Sequence, residues 1–287
     1  MKYFLKNVIL FLEHSYALAS CILMMEHCNE AGIGIEVFNA AELDEQLGIY
    51  REQALYISDH KDCIKAFLGK GLATLIYYHE KNKQESFPKC RYAMENPEDI
   101  DVEYLERIFR RYMGLPWDIL ETKRCRLRET TVGDVETFWE MYKEPAITAY
   151  TEGLKSTIEE EERYLRDYIN SAYHFYEFGV WTICHKKTGE ILGRAGLSVR
   201  DGYEVPELGY VIGKEYQRNG YAYEVCKEIL EYAANYLGYT QVGAIVHKEN
   251  QASIGLLKKL GFSYVKAHDD VMGYYVGQLP LQRITIL

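Results

Sequence analysis

The sequence predicts an α/β protein of two domains, an N-terminal, mostly parallel Rossmann-like α/β domain followed by a mixed α/β sheet. Three observations predict it. The chain has 287 residues, more than one common domain. Up to about residue 115, short apolar runs alternate with amphipathic stretches, the pattern of parallel strands joined by crossover helices. From Cys125 the order changes to two helices, three strands joined by turns, and then further helix and strand alternation.

In the first half, VILFL (8–12) reads as a strand and SYALASCILMMEHCNEAG as a helix closed by Gly32. IGIEVFN and ALYISD (54–59) are the next strands, followed by the helix HKDCIKAFLGKG and the strand ATLIYYH. RYAMENPEDIDVEYLERIFRRYMG adds a short strand and a helix. There Asn96 is the expected cap, Pro97 fits the first position, and Asp99 completes a capping-box-like arrangement. A helix ending at Gly114 before Pro116 marks the boundary. The expected organisation is residues 1–115, a packed linker at 116–123 carrying Trp117, Ile119 and Leu120, and residues 124–287.

In the second half CRLRETT reads as a strand and GDVETFWEMY as a helix. STIEEEERYLRDYINSAYHFY is a second helix, with Ser156 or Thr157 offering caps. VWTICHKKTGEILGRAGLSVRDGYEVPELGYVIG reads as three antiparallel strands, turned at Lys-Thr-Gly and Asp-Gly. QRNGYA (217–222) then joins the third of these to a helix. YTQVGAIVH is a strand, NQASIGLLKKLG a helix, and two more strands close the chain.

The formal net charge is −10, from 33 basic and 43 acidic residues, with both halves acidic. That argues against a nucleic-acid partner and favours cationic substrates such as amines. No run approaches the roughly 18 to 20 apolar residues of a membrane helix, so no membrane association is expected. Seven cysteines, an odd number without a CxxC pair, point to reduced thiols in a cytoplasm. Cys21 and Cys28 read as small core residues. LASC before Cys21 is similar to a lipoprotein processing box, but Glu13 and His14 cut the apolar run to VILFL, and a buried first strand is expected instead.

QRNGYA poses the chemical question. A glycine and an alanine at a strand-to-helix junction let a ligand approach bare backbone, and the first helical turn carries N–H groups without partners. An anion fits there. The stretch lacks the ends of a nucleotide P-loop and of a dinucleotide turn.

Gln217-x-x-Gly220-x-Ala222, followed by Asn250-x-x-Ser253 and LLKKLGF, with ILGRAGL and ELGYVIG on the preceding strands, resembles the GNAT superfamily of acyl-CoA-dependent N-acetyltransferases, nearest the ribosomal-protein alanine acetyltransferases. The resemblance covers about residues 124–287. It implies acetyl-CoA (coenzyme A) as cofactor. The pyrophosphate would meet the amides of Gln217, Arg218, Asn219, Gly220, Tyr221 and Ala222, with Arg218 as a phosphate partner. The pantetheine would pair with Val211, Ile212 and Gly213 like an added strand, with Asn250 bonding it as well as capping its helix.

Relatives often place a proton-donating tyrosine where this chain has Leu257, so Ser253 is the candidate donor or polariser for the leaving sulfur. Glu207 is the candidate general base, and the N–H of Val211 the candidate donor to the thioester carbonyl. His247 is a weaker helper. Glu159 to Glu162 read as a solvated helix start, and Tyr150, Tyr173 and Tyr176 fall in segments that line the acceptor cleft by analogy.

The expected reaction is direct acetyl transfer to a primary amine of a small molecule or a protein N-terminus. A non-catalytic acyl-CoA sensor with a partner-binding first half is the competing reading, and a homodimer is an arrangement the sequence permits. The first half resembles the haloacid dehalogenase core, but its first strand ends in Glu13-His14-Ser15 instead of Asp-x-Asp, so a degenerate scaffold is expected. Asp99-Ile100-Asp101 lies in a helix start, Asp59 reads as a helix cap, and no residues are assigned as metal ligands.

Overall fold

The computed structural model describes residues 3–49 and 51–279, so residues 280–287, assigned above to the second domain, lie outside the described residues. The chain divides into two compact units, with Trp117 ending the first and Asp118 opening the second. Among the described residues no helix is long and apolar enough to cross a membrane.

The first unit runs β1 (Asn7–Leu12), α1 (Ser15–Ser20), α2 (Ile22–Glu30), β2 (Gly34–Asn39), α3 (Leu43–Gln46), β3 (Ala54–Ser58), α4 (Lys61–Gly69), β4 (Ala73–Tyr77), β5 (Ala93–Met94) and α5 (Val102–Tyr112). The five strands form one parallel sheet in the order β2-β1-β3-β4-β5. Both faces are covered, which is why VILFL is an unbroken apolar run. Val8, Leu10 and Leu12 enter one core with Met24 and Leu105, while Ile9 and Phe11 enter another with Ile64 and Phe67. Each such side chain contributes about 1.5–3 kcal/mol by leaving water.

Two local expectations are corrected. The helix expected through residue 32 is interrupted at Cys21, whose buried side chain and that of Cys28 join the core as read. The cap of α5 is Asp101, which accepts the Tyr104 N–H at 2.7 Å. Asn96 makes no side-chain cap bond, because Pro97–Asp99 forms a separate 3-10 turn that Ile100 ends in an extended conformation.

The second unit runs β6 (Asp118–Glu121), β7 (Cys125–Arg128), α6 (Val135–Tyr142), α7 (Pro145–Thr148), α8 (Ile158–Tyr168), β8 (Val180–His185), β9 (Ile191–Ser198), β10 (Glu207–Ile212), α9 (Tyr221–Asn235), β11 (Gln241–His247), α10 (Gln251–Lys259), β12 (Phe262–Ala267) and β13 (Met272–Gln278). Among the described residues its eight strands have the order β12-β13-β11-β10-β9-β8-β7-β6. Segment 116–123, read as a linker, carries β6, which pairs antiparallel with β7. Ile119 and Leu120 pack on the second unit's core. Thr157 caps α8, accepting the Glu160 N–H at 3.2 Å.

One pairing sets up the site. All neighbours in this sheet are antiparallel except β10 and β11, which are parallel and share the single register pair Glu207 and Gly243. Beyond it the two strands part. Among the described residues β10 there keeps a partner only on its β9 edge.

Candidate active site

The parted edge of β10 exposes main-chain groups, and strand geometry decides which. Successive peptide groups along a strand point to opposite edges. The Gly213 N–H donates to Leu192 O at 2.9 Å, so the odd-numbered positions turn to β9. Pro206 O accepts the Gly243 N–H and Ile212 O accepts Gln217 Nε2 at 3.0 Å, so the even-numbered positions face the opening. The N–H of Val211 is therefore committed to β9. The N–H groups that point to the parted edge are those of Tyr210 and Ile212, not that of Val211 as expected.

The loop after β10 leads into α9. Arg218 (φ 64°) and Gly220 (φ 82°) are both left-handed. Gly220 tolerates this freely, whereas for an arginine it costs about 1–2 kcal/mol. Gly220 is the N-cap residue of α9 and offers no side chain to its first amides. Those N–H groups remain a site for negative charge. Arg124 ties the loop down. Its Nη1 donates to Asn219 O at 3.0 Å, its Nε to Glu224 Oε2 at 2.7 Å, and its guanidinium lies 4.2 Å from the Tyr221 ring centroid.

A cavity of about 560 Å³ lies along this edge, lined by Val211, Ile212, Gln217, Arg218, Gly220, Tyr221, Ala222, Asn250 and Ser253 among others. Two residues expected at the cofactor do not line it. Gly213 is turned to β9, and Asn219 uses its side chain within the loop, donating to Tyr216 O and Gln217 O. Asn250 caps α10 by accepting the Ser253 N–H at 3.1 Å, which leaves its amide nitrogen for the cavity.

A second cavity of about 490 Å³ holds Glu207, Arg200, Arg194, Glu152, Glu161, His247 and Asp269. The two cavities share Tyr150, Thr151, Tyr210, Val211, Asn250 and Ser253. They meet where β10 and β11 part.

Glu207 is mostly buried and its carboxylate accepts Arg200 Nε. His247 ends β11 with its ring 5.1 Å from that of Tyr150, and its Nδ1 accepts the Glu249 N–H. Glu161, expected in a solvated helix start, is buried and accepts the Lys155 N–H at 2.9 Å. Of the three tyrosines named for the acceptor side, only Tyr150 lines the cavity. Tyr173 is wholly buried, with its hydroxyl donating to Val180 O and accepting the Thr130 N–H, and Tyr176 is exposed.

Sequence reasoning missed Tyr210. Its hydroxyl donates to Ser253 O at 3.4 Å at the junction of the cavities, and burial pushes it well above the ordinary tyrosine range, so it holds its proton. Leu257 is fully buried, so the donor absent from its position is replaced by nothing on that residue.

Comparison with known proteins gives the site its family. A family profile described as "Acetyltransferase (GNAT) domain" matches residues 124–263. The uncharacterized N-acetyltransferase YoaA of Bacillus subtilis (strain 168) is 33% identical over 146 residues, covering 50% of this chain and 82% of that protein. The chain belongs to the GNAT acetyltransferase family. The uncharacterized N-acetyltransferase p20 of Bacillus licheniformis is 26% identical over 170 residues, covering 56% of this chain and 96% of its own. The solved structure of RimL, a ribosomal L7/L12 alpha-N-protein acetyltransferase, superposes with a TM-score of 0.50 at 12% identity over 57% of this chain and 96% of that one, a likeness of fold.

This acetyltransferase has a site that fits the cofactor its family uses. The uncapped α9 terminus suits a pyrophosphate, and the open edge of β10 offers the amides of Tyr210 and Ile212 to a peptide-like arm.

Proposed function

We propose that this chain is a cytoplasmic acetyl-CoA-dependent N-acetyltransferase that acetylates a primary amine of a small molecule or a protein N-terminus by direct transfer. One observation carries the reading: the groove along β10 and the acceptor cavity share the wall made by Tyr150, Tyr210, Asn250 and Ser253. When bound, acetyl-CoA supplies an acetyl thioester whose carbon–sulfur bond is exchanged for a carbon–nitrogen bond.

The chain's own residues then have four tasks. Amides at the start of α9 and the side chain of Arg218 hold the phosphates. The outward N–H groups of Tyr210 and Ile212 and the amide of Asn250 align the arm and polarise the carbonyl. Glu207 receives the proton of the attacking amine once that amine takes the place of Arg200 at its carboxylate. The Ser253 and Tyr210 hydroxyls, the latter keeping its own proton, donate hydrogen bonds to the departing sulfur, which takes its proton from solvent. The carboxylates of Glu152, Glu161, Glu207 and Asp269 around the acceptor cavity favour a cationic acceptor.

The test measures thiol release from acetyl-CoA by the purified chain against a panel of polyamines, amino acids and N-terminal peptides. Release that depends on the amine is expected. Binding of acetyl-CoA without turnover across the panel would contradict catalysis and support a sensor, and no binding in calorimetry would overturn both.

A further inference from the structure

In the first unit, three ligand-bearing side chains converge where the parallel sheet changes direction. His14 follows β1, Asp59 follows β3 and His79 follows β4, all at the carboxyl ends of their strands. With the order β2-β1-β3-β4-β5, chain connections leave β1 and β3 toward opposite sides, which makes the crevice outside their carboxyl ends the place where open α/β sheets bind ligands. His14 and Asp59 flank that crevice.

Asp59 was read from the sequence as a helix cap, and the structure corrects this. Helix α4 begins after His60 without a side-chain cap bond. The Asp59 side chain is fully buried, its Oδ1 accepts the Glu13 N–H at 2.7 Å, and its Oδ2 faces His79 Nε2 at 3.1 Å and His14 Nδ1 at 3.5 Å. Donor atoms of the three residues lie within 4.8 Å of one another. His14 Nδ1 is shielded from solvent yet makes no hydrogen bond among the described residues.

We infer that this cluster is a binding site for a divalent transition metal of the zinc class, held by His14 Nδ1, Asp59 Oδ2 and His79 Nε2. The spacing favours it. Ligand bonds of about 2.0–2.1 Å in a tetrahedron put neighbouring donors about 3.3 Å apart, between the two distances to Asp59 Oδ2. The donor set is two imidazoles and a carboxylate, which suits zinc and leaves a fourth position for water.

The surroundings orient the ligands. The Tyr16 hydroxyl lies 2.6 Å from His79 Nδ1, fixing the ring with Nε2 toward Asp59. Asn82 holds the strand ends, donating to Asp59 O and Tyr77 O at 2.9 Å while accepting the His79 N–H at 2.8 Å. The Glu13 carboxylate, 3.9 Å from His14 Nδ1, adds a second negative charge at the rim.

The test titrates Zn²⁺ and Co²⁺ into the metal-free, reduced full chain. One ion per chain is expected, with the Co²⁺ visible spectrum of a four-coordinate site. His14→Gln, at the most exposed ligand and one whose Nδ1 makes no hydrogen bond among the described residues, should weaken Zn²⁺ binding at least ~10-fold while the circular dichroism melt of the metal-free protein is unchanged. Tyr16→Phe should weaken it about 10- to 100-fold without removing a ligand. Absence of stoichiometric binding, undiminished binding in His14→Gln, or an intense thiolate-to-cobalt band marking cysteine ligands would each overturn the proposal.

Discussion

The two units build ligand sites in opposite ways from the same material. In the first, every strand of the sheet pairs in register with its neighbours, and chemistry is gathered by side chains at the strand tips, where His14, Asp59 and His79 meet. In the second, the parallel pair β10 and β11 separates after one register position, and what becomes available is backbone: an unpaired strand edge and the uncapped start of α9. A fully paired sheet recognises through the residues its loops carry. A parted sheet recognises through main-chain groups that any sequence would supply, provided that small residues keep the approach open.

The largest effect that would sharpen this contrast is on stability. Glu106 on α5 is fully buried, accepts the N–H groups of Phe4 and Leu5 at 3.0 and 2.7 Å, and receives Arg110 Nε at 2.6 Å. Glu106→Ala should cost about 3–5 kcal/mol by leaving the mostly buried Arg110 without its carboxylate and two amides without their acceptor. Denaturant unfolding should report that loss, with acetyl-CoA affinity unchanged.

Next, Glu207→Gln should lower kcat about 100-fold with little change in acetyl-CoA affinity, and Tyr210→Phe should lower it about 10-fold. Steady-state kinetics with a reactive amine separates the two parameters. Equal kcat in Glu207→Gln would remove that residue from the proton path.

Smaller again is the loop. Gly220→Val forces a branched side chain to φ 82°, at about 1–2 kcal/mol, and should weaken acetyl-CoA about 10-fold by calorimetry.

The smallest effect is pH-dependent. Burial alone would raise the Glu224 carboxyl, but hydrogen bonds from Thr122 and Arg124 bring it below the usual glutamate range. A depressed carboxyl stabilises the fold above its unfolded pKa, and that contribution disappears as pH falls through the folded one. The tether on the QRNGYA loop should therefore persist at neutral pH and fail only below about pH 4. Glu224→Gln should remove that acid dependence from the melting temperature.

Much of this was legible in the sequence where a local pattern determines the structure. VILFL, ELGYVIG and QRNGYA each state their conformation through apolar runs or small residues, and their elements fall where expected. DILE in β6 has no such pattern and gains its strand only from β7 beside it. Strand alternation sets Tyr210 on the face opposite Glu207, and it says nothing of an edge opened by a missing neighbour. Arg200 at Glu207 and Arg124 at Glu224 are contacts across sequence distance. Asp59 looked like a cap because its partners, His14 and His79, arrive from other strands.

Hydrogen exchange with and without acetyl-CoA tests most directly whether the parted strand and the bare helix start hold the ligand. Protection should appear at the amides of Tyr210, Ile212, Tyr221, Ala222 and Tyr223, while those of Gly209 and Val211, bonded to β9, stay unchanged. Binding that leaves the first group as exposed as before, or protects only residues elsewhere in the chain, would contradict it.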